Sequence, residues 1–144
     1  MLRFVTGHDQ IVAEWIEQKM GGLVVTPHLA PGIVDDDGIL RGGFLIALHN
    51  PSCAELTVYS EGALTPGVTR DLFRYVFDTL GIWRLQVRTD KRNRTIKRAA
   101  PKLGFRFEGV ARDFWGPGHD ALLFYMTPAH CRWLRKDTIS GLAL

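Results

Sequence analysis

Apolar residues recur with two different periods along this chain, and glycines mark the changes of period. Ile11, Val12, Trp15, Ile16 and Met20 follow Asp9 at helical spacing; Asp9 is placed to cap that helix and Gly21-Gly22 to end it. Leu72, Phe73, Val76, Phe77 and Leu80 form a second helical stripe, opening near Pro66 and stopped by Gly81. Ile96, Ala99, Ala100 and Leu103 form a third, with Asn93 as its cap and Gly104 as its stop. Arg94, Lys97, Arg98 and Lys102 occupy the polar side of this helix, and Pro101 removes one backbone hydrogen bond near its end, which predicts a kinked or shortened last turn.

Between the helices the period is two. A short apolar run at 2–6 comes first, and Pro27 and Pro31 break the next segment into short extended pieces. Residues 33–50 read as a hairpin turned by Asp37-Gly38, with Phe44, Ile46 and Leu48 sharing a face. In the run 54–61, Leu56 and Val58 lie on one side, and Glu55, Thr57 and Tyr59 on the other. At 82–89 Trp83, Leu85 and Val87 point inward and Arg84, Gln86 and Arg88 outward. Two more strands, at 105–114 and 120–127, flank the loop 115–119, and a short closing helix begins at Pro128.

This order predicts an α/β (α+β) fold. The strand–helix–strand unit from 54 to 88 implies a parallel pair with a right-handed crossover, whereas the hairpins imply antiparallel neighbours. The sheet is therefore expected to be mixed, mostly antiparallel, with helices on both faces. Neither a repeat nor a linker interrupts the pattern, so one domain spans 1–136 and 137–144 form a tail. The state is read as monomer or homodimer, with the strand at 120–127 a candidate for pairing across a dimer.

Composition adds a location for charge. The formal net charge is only +3, yet nine of the 18 Lys and Arg lie between Arg84 and Arg106, with Asp90 the sole acid among them. Such a patch favours an anionic partner: nucleic acid, a membrane surface or a nucleotide-like cofactor. Cys53 and Cys131 belong to no C-x-x-C pair and read as free thiols. The five histidines have no metal-ligand spacing, so no metal is expected. The first ten residues lack the build of a signal peptide and the longest strongly apolar run, 44–48, is far too short to span a bilayer; the expectation is a cytoplasmic protein with no membrane partner.

A strand at 54–60 that turns into a helix near Pro66 places free backbone N–H groups at one end of a sheet, a geometry suited to phosphate. Gly62 and Gly67 permit close approach there, and Thr65 and Thr69 offer hydroxyls. The Arg-rich surface follows the next parallel strand and falls within reach of the same end.

The segment 88–127, in which Asn93 opens a helix that closes in Lys102-Leu103-Gly104-Phe105, resembles the C-terminal half of the GNAT superfamily of acyl-coenzyme A-dependent N-acetyltransferases. The last two strands are similar to those of the ribosomal-protein acetyltransferase branch, and the Cys131-Arg132-Trp133-Leu134-Arg135 tail to small phage and prophage members. The resemblance implies that the strands at 54–60 and 83–88 splay apart and hold acetyl-coenzyme A as acyl donor. Its pantetheine arm would lie against the backbone of Thr57, Val58 and Tyr59, its pyrophosphate on the amides of Gly67, Val68, Thr69 and Arg70, and its remaining contacts on Asn93, Arg94 and Arg98.

Acetyl transfer needs a neutral amine, for which a carboxylate is the natural base. Glu55 is the first candidate, on the polar face of the splayed strand and where some family members carry a catalytic Glu. Glu61 is a weaker one, Tyr59 a candidate proton donor to the leaving thiolate, His49 a residue in reach of an acceptor pocket, and Trp115 a loop aromatic on the substrate side. Three positions depart from the family pattern: Pro66 removes a donor from the phosphate loop, Ile96 replaces a common Ser, and Ala100 replaces a common Tyr. Beside an N-acetyltransferase acting on a primary amine of protein or small-molecule origin stand two alternatives. One is a basic nucleic-acid-binding module, and the other a structural or virion-associated protein with a degenerate coenzyme A site.

Overall fold

A computed structural model describes residues 1–22 and 28–134. The chain runs β1 (Arg3–Val5), α1 (Asp9–Met20), β2 (His28–Leu29), β3 (Gly32–Val34), β4 (Leu40–Asn50), β5 (Cys53–Ser60), α2 (Pro66–Arg74), β6 (Arg84–Asp90), α3 (Arg94–Leu103), β7 (Arg106–Ala111) and β8 (Ala121–Met126). Of the predicted tail and of the loop before β2, 135–144 and 23–27 lie outside the described residues.

The strands form one sheet in the order β1-β3-β4-β5-β6-β8-β7, with β2 also on β4. Among the described residues only β5 and β6 pair in parallel; the other neighbours are antiparallel. The mixed sheet with helices on both faces is as the alternating periods require. Pairing across a dimer through the strand at 120–127 is not available, because β6 and β7 occupy both edges of β8; the sheet ends at β7.

The larger part of the core lies between the sheet and α2 with α3. Phe44, Ile46, Phe73, Val76, Leu85 and Met126 are fully buried there, each contributing about 1.5–3 kcal/mol relative to exposure. Phe73 sits at its centre, with the rings of Phe77, Phe105 and Trp133 at 6.2, 6.0 and 6.3 Å. A smaller cluster of Val12, Ile16, Ala30 and Leu45 lies beneath α1 on the other face. Gly43 allows that approach: a Cβ there would stand 2.8 Å from a Val12 methyl carbon and 3.0 Å from one of Ile16.

Several local expectations change. Asp9 does not cap α1; its carboxylate accepts from the Ala30 N–H at 2.7 Å, tying the helix to the chain before β3, and His8 holds the cap position without a side-chain bond. Trp83 is 66% exposed rather than inward, because it precedes the strand: its N–H and that of Arg84 both bond to the Ser52 carbonyl, and alternation starts only at Arg84. Leu48 is exposed, next to a register shift at the end of β4. The second helix does not stay α-helical to its end: past Arg74 it winds as a π-turn over Tyr75–Thr79, where the Leu80 N–H reaches the Tyr75 carbonyl. The closing helix is instead two 3-10 turns, Pro128–His130 and Arg132–Leu134. Between them Cys131 is extended, which lets Arg132 and Trp133 donate to the carbonyls of Lys102 and Leu103 that the end of α3 leaves unpaired. Asn93, Gly81 and Gly104 act as expected, the glycines in the left-handed conformation and Asn93 through its side-chain oxygen, which accepts from the Ile96 N–H at 3.1 Å.

Candidate active site

β5 and β6 share only three rungs, Cys53↔Arg84, Ala54↔Leu85 and Glu55↔Gln86. Beyond Glu55 the two strands part, β6 keeping to β8 as far as Asp90↔Ala121 and β5 to β4 as far as Gly42↔Ser60. The gap between them is a cavity of ≈ 230 Å³, walled by Leu56, Thr57 and Val58 on β5, Val87, Arg88 and Thr89 on β6, and Asn93, Ile96, Ala99 and Ala100 on α3.

Strand alternation fixes which backbone groups face the gap. The Phe44 N–H is turned to the Pro31 carbonyl and the Glu61 N–H to the Arg41 carbonyl, both at 2.9 Å. In the antiparallel ladder Phe44 pairs with Val58, so the odd-numbered residues of β5 bond to β4 and the even-numbered ones face away from it. The peptide groups of Leu56 and Val58 therefore form an open sheet edge inside the wedge, whereas those of Thr57 and Tyr59 bond to β4. An open edge of this kind accepts an extended amide-bearing chain as an added strand.

The N-terminus of α2 lies at the far end of β5. Thr65 caps it, its hydroxyl oxygen accepting from the Val68 N–H at 3.2 Å while its carbonyl accepts from the Thr69 N–H at 2.9 Å and the Thr69 hydroxyl at 2.8 Å. Val68 and Thr69 are buried, and Pro66 has no N–H, so Gly67 is the first-turn amide left for a ligand. Gly67 is exposed, and a Cβ built on it would meet nothing within 4 Å. Arg70, on the same turn, is half-buried. At α3, Asn93 lines the wedge with its oxygen engaged in the cap. Arg94 and Arg98 project from the exposed side with no ion pair among the described residues.

Where the strands part, a polar cluster occupies the face that carries α1. The Glu55 carboxylate accepts from the Gln86 amide at 3.0 Å, from Arg88 Nε at 3.3 Å and again from the Arg88 guanidinium, and lies 3.2 Å from His49 Nε2. Burial pushes the Glu55 carboxyl upward, but Arg88, Gln86 and His49 together outweigh it and hold the group below its ordinary value. The Phe114 ring covers the Arg88 guanidinium at 4.3 Å, and Trp115 meets Phe114 edge-on at 5.0 Å.

Tyr59 lies four residues further along β5, roughly 13 Å from Glu55 at the rise of a strand. Its ring meets Trp15 of α1 edge-on at 5.5 Å, and its hydroxyl donates to Glu61, which pairs in turn with Lys19 at 3.2 Å. Burial and the Glu61 hydrogen bond raise the Tyr59 hydroxyl above its ordinary value. The two candidate catalytic side chains thus stand in separate clusters on one face.

One sheet, one parallel pair that splays and a capped helix after each of its two strands define a known architecture. The fold is that of the GCN5-related N-acetyltransferases. Solved structures that the chain resembles include such an enzyme from Brucella melitensis, at 27% identity over 72% of this chain and 52% of that one, with a TM-score of 0.61. A mutant spermidine N-acetyltransferase from Vibrio cholerae matches at 12% identity over 95% and 98% of the two chains, TM-score 0.74. The ribosomal-protein-S5-alanine acetyltransferase from Vibrio fischeri matches at 15% identity over 88% and 72%, TM-score 0.59. The chain spans about half the length of the Brucella structure. Neither a protein-family model nor a curated protein sequence matches it.

Within this N-acetyltransferase fold the residues that sequence reasoning did not place in the site are Gln86 and Arg88. Their signal is present in the sequence: both fall on the outward face of β6, and a parallel partner puts that face beside Glu55. Among the described residues no group of side chains is arranged to hold a metal ion, and no helix is long and apolar enough to cross a membrane.

Proposed function

We propose that the protein is an acyl-coenzyme A-dependent N-acyltransferase that moves an acetyl group from acetyl-coenzyme A to a primary amine by direct attack. The observation that supports this most is the wedge, an open strand edge at Leu56 and Val58 that starts one residue past the Glu55↔Gln86 rung. Acetyl-coenzyme A supplies a thioester carbonyl carbon, activated toward amines. Its amide-bearing arm fits the edge of β5, and its phosphates fit the Gly67 amide, Arg70 and the positive side of α3 at Arg94 and Arg98, with Asn93 on the wedge wall.

Glu55 is assigned as the base. The amine nitrogen bonds to the carbonyl carbon, the carbon–sulfur bond breaks, and the proton that nitrogen releases passes to Glu55. Glu55 stays ionised under working conditions because Arg88, Gln86 and His49 favour its charged form. Tyr59, held by Glu61, is assigned to the wall of the acceptor side rather than to the thiolate. Both cysteines are free thiols, in keeping with a reducing, cytoplasmic compartment.

Calorimetric titration with acetyl-coenzyme A, on the natural chain and on Ala99→Trp, tests the reading. Micromolar affinity, about −8 kcal/mol, that is abolished by the tryptophan in the wedge is expected; equal affinity in both chains, or no binding up to millimolar ligand, rejects it. One observation favours a different occupant: Arg94, Arg98 and Lys102 form an exposed stripe at four-residue spacing with no ion pair among the described residues. Oligonucleotide binding that falls steeply with salt, in a chain that ignores acetyl-coenzyme A, would assign that stripe to nucleic acid.

A further inference from the structure

The ion pair between Glu55 and Arg88 stands at the mouth where an acceptor must meet the wedge, and its two members are not equivalent. Glu55 has two other partners, Gln86 and His49. Arg88 directs Nε and one terminal nitrogen to Glu55, its other terminal nitrogen makes no hydrogen bond among the described residues, and one face of its guanidinium is covered by the Phe114 ring. Both side chains are about four-fifths buried, at 21% and 19% exposure.

An acceptor carrying only an ammonium group, on reaching Glu55, would displace Arg88 and leave a largely buried guanidinium with an aromatic ring in place of a counterion. Stranding one member of such a pair is strongly unfavourable. An acceptor carrying only a carboxylate would pair with Arg88 but bring no nucleophile. A molecule with an amine and a carboxylate on one carbon inserts into the pair and leaves neither charge unmatched, since the guanidinium has donors enough for a bidentate carboxylate.

Resting on the N-acyltransferase reading above, we propose that the acceptor is a free α-amino acid, whose carboxylate takes Arg88 and whose amine comes to Glu55. As the carboxylate engages Arg88, Glu55 loses the partner that most depresses its basicity, and so becomes a better base when an acceptor is in place. The α-ammonium then gives one proton to Glu55, the neutral nitrogen bonds to the acetyl carbon, the carbon–sulfur bond breaks, and the second proton that nitrogen loses passes to the departing thiolate. Phe114, on the Arg88 guanidinium, and Trp115, edge-on to Phe114, are both nearly half exposed and favour an apolar side chain on the amino acid. A peptide N-terminus has an amide where this site wants a carboxylate, and a polyamine has neither.

The test uses the full chain, acetyl-coenzyme A and two matched series: phenylalanine, phenylalaninamide and 2-phenylethylamine, and leucine, leucinamide and isopentylamine. Free-thiol release is followed. At least about a tenfold preference in kcat/KM for the free amino acid is expected in one series or both. In Arg88→Gln, which loses some stability because Glu55 is left without its counterion, that preference should shrink to within about twofold, the ratio being read below the variant's melting transition on chain that still binds acetyl-coenzyme A. Arg88→Lys, which keeps the charge without the fork, should be intermediate. Turnover of the amide or amine equal to or above that of the amino acid overturns the proposal and leaves the N-acyltransferase reading standing. So does acetyl-coenzyme A binding without turnover of any of the six compounds. Absence of acetyl-coenzyme A binding removes the reading on which it rests, and the proposal with it.

Discussion

Glu55 and Gln86 form the last rung between the two parallel strands, and the Gln86 amide donates to the Glu55 carboxylate at 3.0 Å across it. The sheet stops being continuous one residue later. The carboxylate is therefore anchored by Gln86 from the side where the strands still pair and met by Arg88 on the side where they do not, so a base for a wedge-bound acyl donor is reached there past the Arg88 guanidinium.

Glu55→Gln keeps the size of this side chain and most of its hydrogen-bonding capacity but cannot take a proton. A drop in kcat of about 10²-fold or more is expected, in the range of general-base catalysis, with acetyl-coenzyme A affinity nearly unchanged because the cofactor edge lies at Leu56 and Val58. Steady-state kinetics paired with calorimetry checks this; a retained kcat would move the base elsewhere.

The same carboxyl gives a pH signature in stability. Despite burial, its partners hold it below the ordinary value of 4.5 that it regains on unfolding. Its contribution is thus fully present above that value and is lost as pH falls through the lower folded value. Melting curves of the natural chain and of Glu55→Gln should show a stability difference favouring the natural chain near about pH 6 that shrinks toward about pH 3. A difference that grows on acidification would reverse the sign of the shift.

Gly43 gives a test of the packing beneath α1. A Cβ there would stand 2.8 Å from Val12 and 3.0 Å from Ile16, so both side chains would have to shift to admit it. Gly43→Ala should cost about 1–3 kcal/mol and lower the midpoint in thermal unfolding, with the wedge, on the other side of β5, still binding its ligand.

The phosphate cradle at α2 is lean for a stated reason: Pro66 has no N–H and the Val68 amide belongs to Thr65. Pro66→Ala restores one donor to the first turn. About 1 kcal/mol tighter binding of acetyl-coenzyme A, roughly fivefold, is expected, and acetyl-pantetheine, which lacks the pyrophosphate, should show no gain. An unchanged affinity would show that the ligand does not reach this turn.

What could be read in the sequence was local or periodic. The helix cap at Asn93, the helix start near Pro66, the stops at Gly81 and Gly104, and the strand–helix–strand unit that forces a parallel pair all depend on residues within one element or its neighbours. Trp83 misled because period two was extended one residue past the strand, where two N–H groups share the Ser52 carbonyl. The closing helix misled because Trp133 and Arg132 are held by carbonyls some thirty residues away in α3. The cluster around Glu55 was legible only in halves. Its members come from β4, β5 and β6, and which residues of a strand meet across a sheet depends on register, which the pattern of one strand does not contain.

Asn93 separates helix capping from ligand binding most cleanly, because a single side chain is placed for both. Its oxygen accepts from the Ile96 N–H and the residue lines the wedge. Asn93→Ala removes the cap and the amide together, and should lower stability by about 1 kcal/mol while weakening acetyl-coenzyme A. Asn93→Ser keeps a capping oxygen on a shorter side chain, so stability should return while any affinity that depends on the amide stays lost. Asn93→Asp also keeps the cap, and its charge favours the start of the helix, yet it sets an anion beside the proposed phosphate path and should bind acetyl-coenzyme A most weakly of the three. Melting temperature and calorimetric affinity measured on all three variants must therefore rank differently. If affinity simply follows stability through the series, Asn93 acts on the wedge only by holding α3 in place.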